Sequence, residues 1–385
     1  MPGSVKSVCI VGGGIGSLVC AQTISHLSKK AGRVTNIVIL EKSSRLGGQI
    51  KTHTNNFNDN RFIIEEGAEG FVTRSEVFPR VASMAGLSEG SIIDQIRIAD
   101  NELAYDSDAG IWRVTELPPG MAAQKLGFQV PARDRGKGIR SFRGGMSELV
   151  HKIKDNLRDV RINSEATMIK QHSSTGKIHV SFCSEGSISS DIYSDAVVLG
   201  IPINCVHRIL GFPGLLPPPE APQHNSHVSV HIMTPRSSEI PEPRSFTVPQ
   251  ELQDHFGGLR AVAFVNEKFA GRCPDDSWLF RFYYRPSNVD DVNDRDRWTN
   301  SAVTTLRDIF GLTSIAQTWY SPWSSALPII TKDHLDNCRL WKDHLQQYTL
   351  GRLSVVGSEW AGAGLEAAAQ SGYEAGSAIF NRLTV

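Results

Sequence analysis

The stretch Val8-Cys9-Ile10-Val11-Gly12-Gly13-Gly14-Ile15-Gly16-Ser17 decides the fold of the N-terminal part of this chain. Lys6 to Val11 is a short apolar run that ends in glycines and reads as a buried parallel strand. Leu18, Ala21, Ile24 and Leu27 then recur at helical spacing, which predicts a helix from Gly14 to about Lys30. Ile37 to Leu40 is a second buried strand, closed by Glu41. Together they form a βαβ unit whose turn brings backbone N–H groups to a pyrophosphate at the positive end of a helix. Gly12 permits the tight turn and Gly14 the close approach of the phosphate, with Ile15 and Gly16 opening the helix. In the usual G-x-G-x-x-G spacing the third glycine falls at position 17, here Ser17, which is small enough to keep helix and strand close. A carboxylate at Glu41 accepts hydrogen bonds from both adenosine ribose hydroxyls and repels a 2′-phosphate. The plainer alternatives are a glycine turn without ligand and a solvated acid at a strand end.

The bulk numbers narrow the class. A chain of 385 residues suggests about two domains. Hydrophobic content of 40% and charged content of 21% fit a soluble globular protein. Lys plus Arg and Asp plus Glu balance at 40 each, so nothing points to nucleic acid or an anionic membrane as partner. None of the six cysteines forms a C-x-x-C pair, and Cys9 and Cys20 read as buried thiols. A reducing, cytoplasmic setting is therefore expected. The first strand starts within a few residues of Met1, which leaves no room for a signal peptide. No apolar run approaches the roughly 20 residues that span a bilayer.

Further along, Ser75 to Leu87 predicts a helix stopped near Gly86. Gly144 to Asp159 predicts another, with Met146, Leu149, Val150, Ile153 and Leu157 on one face. Arg161 to Phe182 reads as strands around a Ser173-to-Gly176 turn, and Ala196 to Ile201 as a buried strand stopped by Pro202. Pro213 to Pro249 is too proline-rich for a long helix and reads as a loop plus edge strands. Trp278 to Tyr284 suggests a strand, Asp296 to Phe310 a helix, Leu353 to Val356 a buried strand and Leu365 to Leu383 a closing helix. His224, His227 and His231 form a metal-like pattern, but no acid or cysteine is suitably spaced. They read as a polar strand face, and no metal is expected.

After the second strand comes Glu41-Lys42-Ser43-Ser44-Arg45-Leu46-Gly47-Gly48-Gln49, and near the C-terminus Gly357-Ser358-Glu359-Trp360-Ala361-Gly362-Ala363-Gly364-Leu365-Glu366. With these segments the chain resembles the flavin amine oxidase superfamily. The resemblance implies FAD as cofactor, with Glu41, Lys42, Arg45, Gly47, Gly48 and Gln49 along its ribose, pyrophosphate and ribityl. Gly357, Ser358, Gly364, Leu365 and Glu366 would lie by the ring. There the closing helix would present its N-terminus to the charge left by hydride arriving at N5.

Glu65-Glu66-Gly67-Ala68-Glu69-Gly70-Phe71-Val72-Thr73-Arg74 narrows the likeness to a protoporphyrinogen oxidase-like branch. Gly67, Ala68 and Glu69 would pass the isoalloxazine, Ala68 standing where that branch usually has proline. Arg74 matches an arginine that pairs with a substrate carboxylate, its plainer reading being a surface salt bridge. Phe142-Arg143-Gly144-Gly145-Met146 and Trp323-Ser324-Ser325-Ala326-Leu327-Pro328 fit the same branch. Ala166 falls where the backbone meets adenine, and Trp323 either walls the flavin or packs the core. One departure stands out. Only Met121 to Arg140 follows Leu117-Pro118-Pro119-Gly120, where the branch carries an extra helical part that shapes its pocket and often touches membrane.

The expected fold is α/β: a discontinuous Rossmann-type FAD domain (1–74, 141–202 and 350–385) and a substrate domain with a mixed sheet and helices (75–140 and 203–349). The expected function is oxidation of a small organic substrate at a C–N or C–C bond by hydride transfer to flavin, with O2 as acceptor giving H2O2, in specialised metabolism. The shortened helical region implies a smaller or more open pocket, or one closed by a partner subunit in a homo-oligomer. The alternatives are a tetrapyrrole oxidase, a redox-neutral flavin isomerase and a non-catalytic FAD-binding protein.

Overall fold

A parallel sheet carries the N-terminal glycine turn. The computed structural model describes residues 5–57, 60–98, 100–127, 132, 135–172, 175–184, 188–237, 244–288 and 290–384. Ser173 and Ser174 of the expected turn lie outside these residues. The sheet runs in the order Asp159–Arg161, Thr35–Leu40, Lys6–Val11, Ala196–Leu199, Leu353–Val355. All its pairings are parallel, as the βαβ pattern requires. Lys6–Val11 is central and covered on both faces, which is why its sequence is a continuous apolar run rather than an alternation. On one face lie the helices Ile15–Lys30, Val77–Ala85, Ser147–Asp155 and Leu365–Thr384. Cys9, Val11, Leu199 and Leu353 face the other way. They meet the antiparallel sheet Ser164–Gln171, Ile178–Ser184, Ile188–Ser194 and the helix Lys332–Thr349, which contributes Cys338, Trp341 and Leu345.

The first and closing helices touch backbone to backbone. A Cβ on Gly372 would lie 2.9 Å from the Gly16 carbonyl carbon and overlap its oxygen; one on Gly376 would lie 2.8 Å from the Cys20 oxygen. Glycine is thus required where the C-terminal helix buttresses the first turn after the glycine loop.

A second, seven-stranded sheet is mixed, in the order Gln317–Pro328, His224–Pro235, Ser277–Tyr284, Leu259–Phe264, Phe246–Thr247, Asn101–Asp106, Ile111–Glu116. Only the Phe246–Thr247 pairing with Asn101–Asp106 is parallel. Val228, Val230, Ile232, Phe280, Phe282 and Tyr284 point to one face and pack on Trp298, Ala302 and Leu306 of the helix Arg295–Phe310. Alternation sends His227, Ser229, His231, Arg281 and Tyr283 to the opposite face.

Several elements differ from expectation. His224–Pro235 is an inner strand, paired on both sides, not an edge strand. Its prolines explain this. Pro222 precedes the strand and Pro235 ends it, so every N–H between them can donate to a neighbour. The expected Gly144-to-Asp159 helix is confined to Ser147–Asp155, because Gly145 takes φ 92° and cannot belong to it. The helix Lys332–Thr349, the hairpins Thr52–Phe57/Asn60–Glu65 and Asn101–Asp106/Ile111–Glu116, and the long strand Gln317–Pro328 have no counterpart in the sequence reading. Between Met121 and Arg140 the described residues hold one short helix, Met121–Lys125, and the start of the strand Ile139–Phe142. Among the described residues no helix is long and apolar enough to cross a membrane.

Candidate functional site

The glycine turn sits at the carboxyl end of the central parallel strand. Gly12 takes φ 98°, and a Cβ there would lie 2.9 Å from the Gly200 carbonyl carbon, so both conformation and space demand glycine. Gly14 precedes the first helix and offers no side-chain cap, which leaves the opening amides of Ile15, Gly16 and Ser17 without an internal acceptor. A Cβ on Gly14 would meet nothing within 4 Å. Ser17 is buried, and its Oγ lacks a hydrogen-bond partner. Its space is made by Gly200, whose added Cβ would lie 3.2 Å from Ser17 Cβ and overlap Oγ. Glycine at 200 thus replaces the glycine that the motif lacks at 17.

Glu41 joins this turn. Its Oε2 accepts from the Gly13 amide at 2.6 Å, and its Oε1 from the Ser43 amide at 2.8 Å and Ser43 Oγ at 2.6 Å. The following loop is tied in by the Gly47 amide donating to the Gly13 carbonyl at 2.8 Å. Gly47 and Gly48 take φ 107° and 57°. Arg45 donates to the carbonyls of Gly48 (2.6 Å), Ile50 (2.9 Å) and Leu46 (3.2 Å), so its guanidinium first braces the loop that bears it. Lys42 forms an exposed pair with Glu165 at 2.9 Å. The amides of Asn163 and Ser164 donate to the carbonyls of Ser43 and Glu41. This brings the strand holding Ala166, itself 8% exposed, alongside the Glu41 turn.

The C-terminal segment closes against the same turn. A Cβ on Gly16 would lie 3.2 Å from the Gly357 nitrogen and 3.0 Å from the Ala368 oxygen. Gly357, Gly362 and Gly364 all take left-handed φ (118°, 125° and 96°), and nothing lies within 4 Å of an added Cβ on Gly357 or Gly364. The Gly357 amide donates to Ser371 Oγ at 3.0 Å. Trp360 stacks on Trp341 at 5.3 Å between centroids, anchoring the short Ser358–Ala361 turn of helix. Glu359 accepts from the Ile203 amide and pairs with His224 at 3.1 Å. Leu365 packs partly into the first core, and Glu366 lies in the opening turn of the closing helix.

A second group gathers around Gly67. An added Cβ there would lie 3.1 Å from the Gln49 carbonyl carbon and 3.2 Å from Trp323 Cζ2. The indole N–H of Trp323 donates to the Glu66 carbonyl at 2.7 Å, the Ala68 amide to the Gln49 carbonyl at 3.0 Å, and Gln49 Nε2 to the Ala326 carbonyl. Gln49, Gly67, Ala68 and Trp323, far apart in sequence, are thus brought together. Glu69 pairs with Lys268 at 2.6 Å and accepts from Tyr283 at 3.3 Å, while Arg281 donates to the Gly67 carbonyl at 2.9 Å. Burial opposes ionisation of Glu69, but Lys268 and Arg281 outweigh it and hold the carboxyl below its ordinary value. Arg74, by contrast, is exposed on the turn after Phe71–Val72.

Sequence reasoning missed Lys268, Arg281 and Tyr283. No local motif marks them; the available signal was one arginine inside the apolar strand Ser277–Tyr284. The three histidines do lie on one strand. Burial drives the His227 pKa down to about 3 and that of His231 well below its ordinary value, with Arg281 adding to both shifts. Both rings are therefore neutral. Among the described residues no group of three His, Cys, Asp or Glu side chains is placed to hold a metal.

Residues 10–85 match the NAD(P)-binding Rossmann-like domain, and residues 104–379 match the flavin containing amine oxidoreductase family. Among solved structures, the chain is similar to a candidate protoporphyrinogen oxidase from Exiguobacterium sp. 255-15 (17% identity, TM-score 0.76, covering 98% of this chain and 99% of that one). It is also similar to reduced UDP-galactopyranose mutase (12%, 0.71, 99% and 97%) and to a CLA-producing fatty acid isomerase from P. acnes (13%, 0.62, 98% and 98%). At these identities the likeness is one of fold. No match was found among curated proteins.

Proposed function

The chain belongs to the flavin containing amine oxidoreductase family, and from that premise we propose that it is an FAD-dependent oxidase of a small organic molecule. The reaction removes a hydride from a C–H bond beside nitrogen or beside another carbon, and O2 takes up the electrons as H2O2. The observation that carries this reading is the meeting of the two glycine segments. Gly14, Gly357 and Gly364 each face open space, around a helix start with no side-chain cap. Bare backbone and unpaired amides suit a pyrophosphate and a flat ring.

These residues fit FAD. Gly12, Gly14, Ile15, Gly16 and Ser17 would hold the diphosphate, Glu41 and Ala166 the adenosine, and Lys42, Arg45, Gly47, Gly48 and Gln49 the middle of the cofactor. Gly67, Ala68, Glu69, Gly357, Ser358, Gly364, Leu365 and Glu366 would surround the ring end. When bound, the flavin supplies the two-electron chemistry as hydride acceptor. The chain supplies position and electrostatics. The uncapped first helix offsets the diphosphate charge, and the start of the helix Leu365–Thr384 offers partial positive charge at the ring end. Trp323, held by the Glu66 carbonyl, walls that end against Gly67. The short span from Met121 to Arg140, where the resembling branch carries an extra helical part, supports a small substrate.

An absorption spectrum of the purified protein tests the proposal, followed by anaerobic titration with amines and with a porphyrinogen. Flavin bands that bleach with one substrate and recover in air are the expected result. Turnover without O2 consumption would transfer the chain to the isomerase reading. A colourless protein that refuses added FAD would overturn the proposal.

A further inference from the structure

We propose that Arg281 is the floor of a substrate subsite for an anionic group, and that the molecule oxidised by this chain carries a carboxylate. The inference deepens the flavoenzyme reading above and rests on it for the identity of the bound molecule as substrate. It begins from an electrostatic imbalance. Arg281 is 3% exposed, yet no carboxylate among the described residues forms an ion pair with it. The acid it influences, Glu69, is already paired with Lys268. The buried Arg281 and the half-buried Lys268 therefore share one carboxylate. The neighbouring Arg272 and Glu65 pair with each other at 3.4 Å and leave that excess uncorrected. A buried charge without a counter-charge is strongly unfavourable unless another group offsets it.

The surroundings of Arg281 are built for an oxyanion. Its Nη2 donates to the Gly67 carbonyl at 2.9 Å and lies 3.5 Å from Ser229 Oγ, while its Nε is buried with no partner. The guanidinium lies over the Tyr283 ring at 4.8 Å, which fixes its plane. His231 stands directly across the sheet from Arg281, and its Nδ1 is buried with no partner. Ser321 stands across from Ser229, and its buried Oγ also has none. Three orphaned polar atoms on three adjacent strands thus share one sheet face, and none belongs to an acid. Buried polar groups are rarely left unpaired, so this face calls for an occupant that accepts hydrogen bonds. A carboxylate matches the planar fork of an arginine and the single donors beside it.

The position suits a substrate. Through the Gly67 carbonyl, Arg281 touches the segment that also meets Gln49 and Trp323, at the proposed ring end of the FAD groove. Along the same face, His227 (paired with Trp323) and Tyr283 are only half-buried, beside the buried Arg281, His231, Ser229 and Ser321. Arg74, which the family resemblance nominates for a carboxylate, is exposed; Arg281 is the buried arginine at the Gly67 carbonyl.

Benzoate and benzamide, alike in shape and different in charge, serve as probes. Their binding is read from the Tm, from tryptophan fluorescence (Trp319 and Trp323 lie on the strand Gln317–Pro328 that holds Ser321) and, in the FAD-loaded protein, from the flavin difference spectrum. Millimolar benzoate should raise the Tm of the native protein saturably, and benzamide should not. Arg281→Met should weaken benzoate binding at least tenfold, and Arg281→Lys, which keeps the charge and loses the fork, by less. The wild-type Tm comparison needs no variant, so it decides even if Arg281→Met fails to fold. Equal responses to the two probes, no response to benzoate, or benzoate affinity within twofold of wild type in folded Arg281→Met would overturn the proposal and leave buried water as the partner of these atoms. The two readings fail separately. A protein that refuses FAD but answers benzoate through its tryptophans loses the flavoenzyme reading and keeps the anion site, whereas one that binds FAD and ignores benzoate does the reverse.

Discussion

Replacing Gly372 by alanine tests whether the closing helix sets the position of the nucleotide turn. The added Cβ would sit 2.9 Å from the Gly16 carbonyl carbon and 3.1 Å from Gly16 Cα, and would overlap the Gly16 oxygen. All three are backbone atoms, so no side chain can swing aside. The two helices must separate by about 1 Å to restore ordinary contact. Overpacking of this kind costs about 1–3 kcal/mol. Alanine returns up to about 1 kcal/mol through its higher helix propensity. A clash with backbone alone belongs to the upper part of that range, about 2–3 kcal/mol, so the net loss is about 1–2 kcal/mol, read as a fall of a few degrees in Tm for a chain of this size. The displaced segment is the first turn after Gly14, whose amides face the proposed diphosphate. FAD affinity should therefore fall about tenfold, equivalent to about 1.4 kcal/mol. Thermal unfolding without FAD reads the first effect, and a fluorescence titration with FAD the second. Gly376→Ala is the control. Its Cβ would press on Cys20 and Thr23, one turn further from the loop, so it should lower Tm and spare FAD affinity. A Gly372→Ala protein with unchanged or higher Tm and unchanged FAD affinity would refute the reasoning, because propensity alone would then account for the substitution.

Other perturbations have defined outcomes. Lys268→Met strips Glu69 of its 2.6 Å partner but leaves Arg281 and Tyr283 beside it, and should cost about 1–3 kcal/mol in urea unfolding; a loss under about 0.5 kcal/mol would show that the pair is dispensable. Glu41→Ala leaves the Gly13 and Ser43 amides without their acceptor, at about 1–3 kcal/mol, and should weaken FAD binding; unchanged stability and affinity would remove Glu41 from both roles. Burial raises the Glu65 pKa to about 7, against the counter-effect of Arg272. The folded state then holds the proton more tightly than the unfolded chain. The resulting stability is fully present below the unfolded pKa near 4.5 and is lost as pH rises through about 7. Unfolding free energies of wild type and Glu65→Gln measured from pH 4 to pH 8 should diverge in that window, and parallel profiles would contradict the shift.

The readable parts of the sequence were those in which neighbours in the chain are neighbours in space. Lys6–Val11, the glycine turn and Ile15–Lys30 are contiguous, and a strand buried on both faces announces itself by an unbroken apolar run. The strand Ser277–Tyr284 and the closing helix were legible for the same reason. The helix Lys332–Thr349 was harder to read. It buries only Cys338, Trp341, Leu345 and Thr349, widely spaced among polar residues, so its apolar stripe is thin. The prolines around His224–Pro235 point to an edge strand, whereas the proline-free run between them pairs on both sides.

The βαβ unit and the glycine turns at Gly12–Gly14 and Gly47–Gly48 were legible in the sequence, because they follow from local spacing and backbone freedom, and the resemblance to the family rested on the same segments. Only the tertiary structure decided that Gly200 makes room for Ser17, that Gln49 meets Gly67 and Trp323, and that Arg281 lies buried opposite His231. Each of these depends on strand register between segments up to hundreds of residues apart. Shifting the pairing by one residue would turn Arg281 to the other face of the sheet, and no local pattern encodes that register.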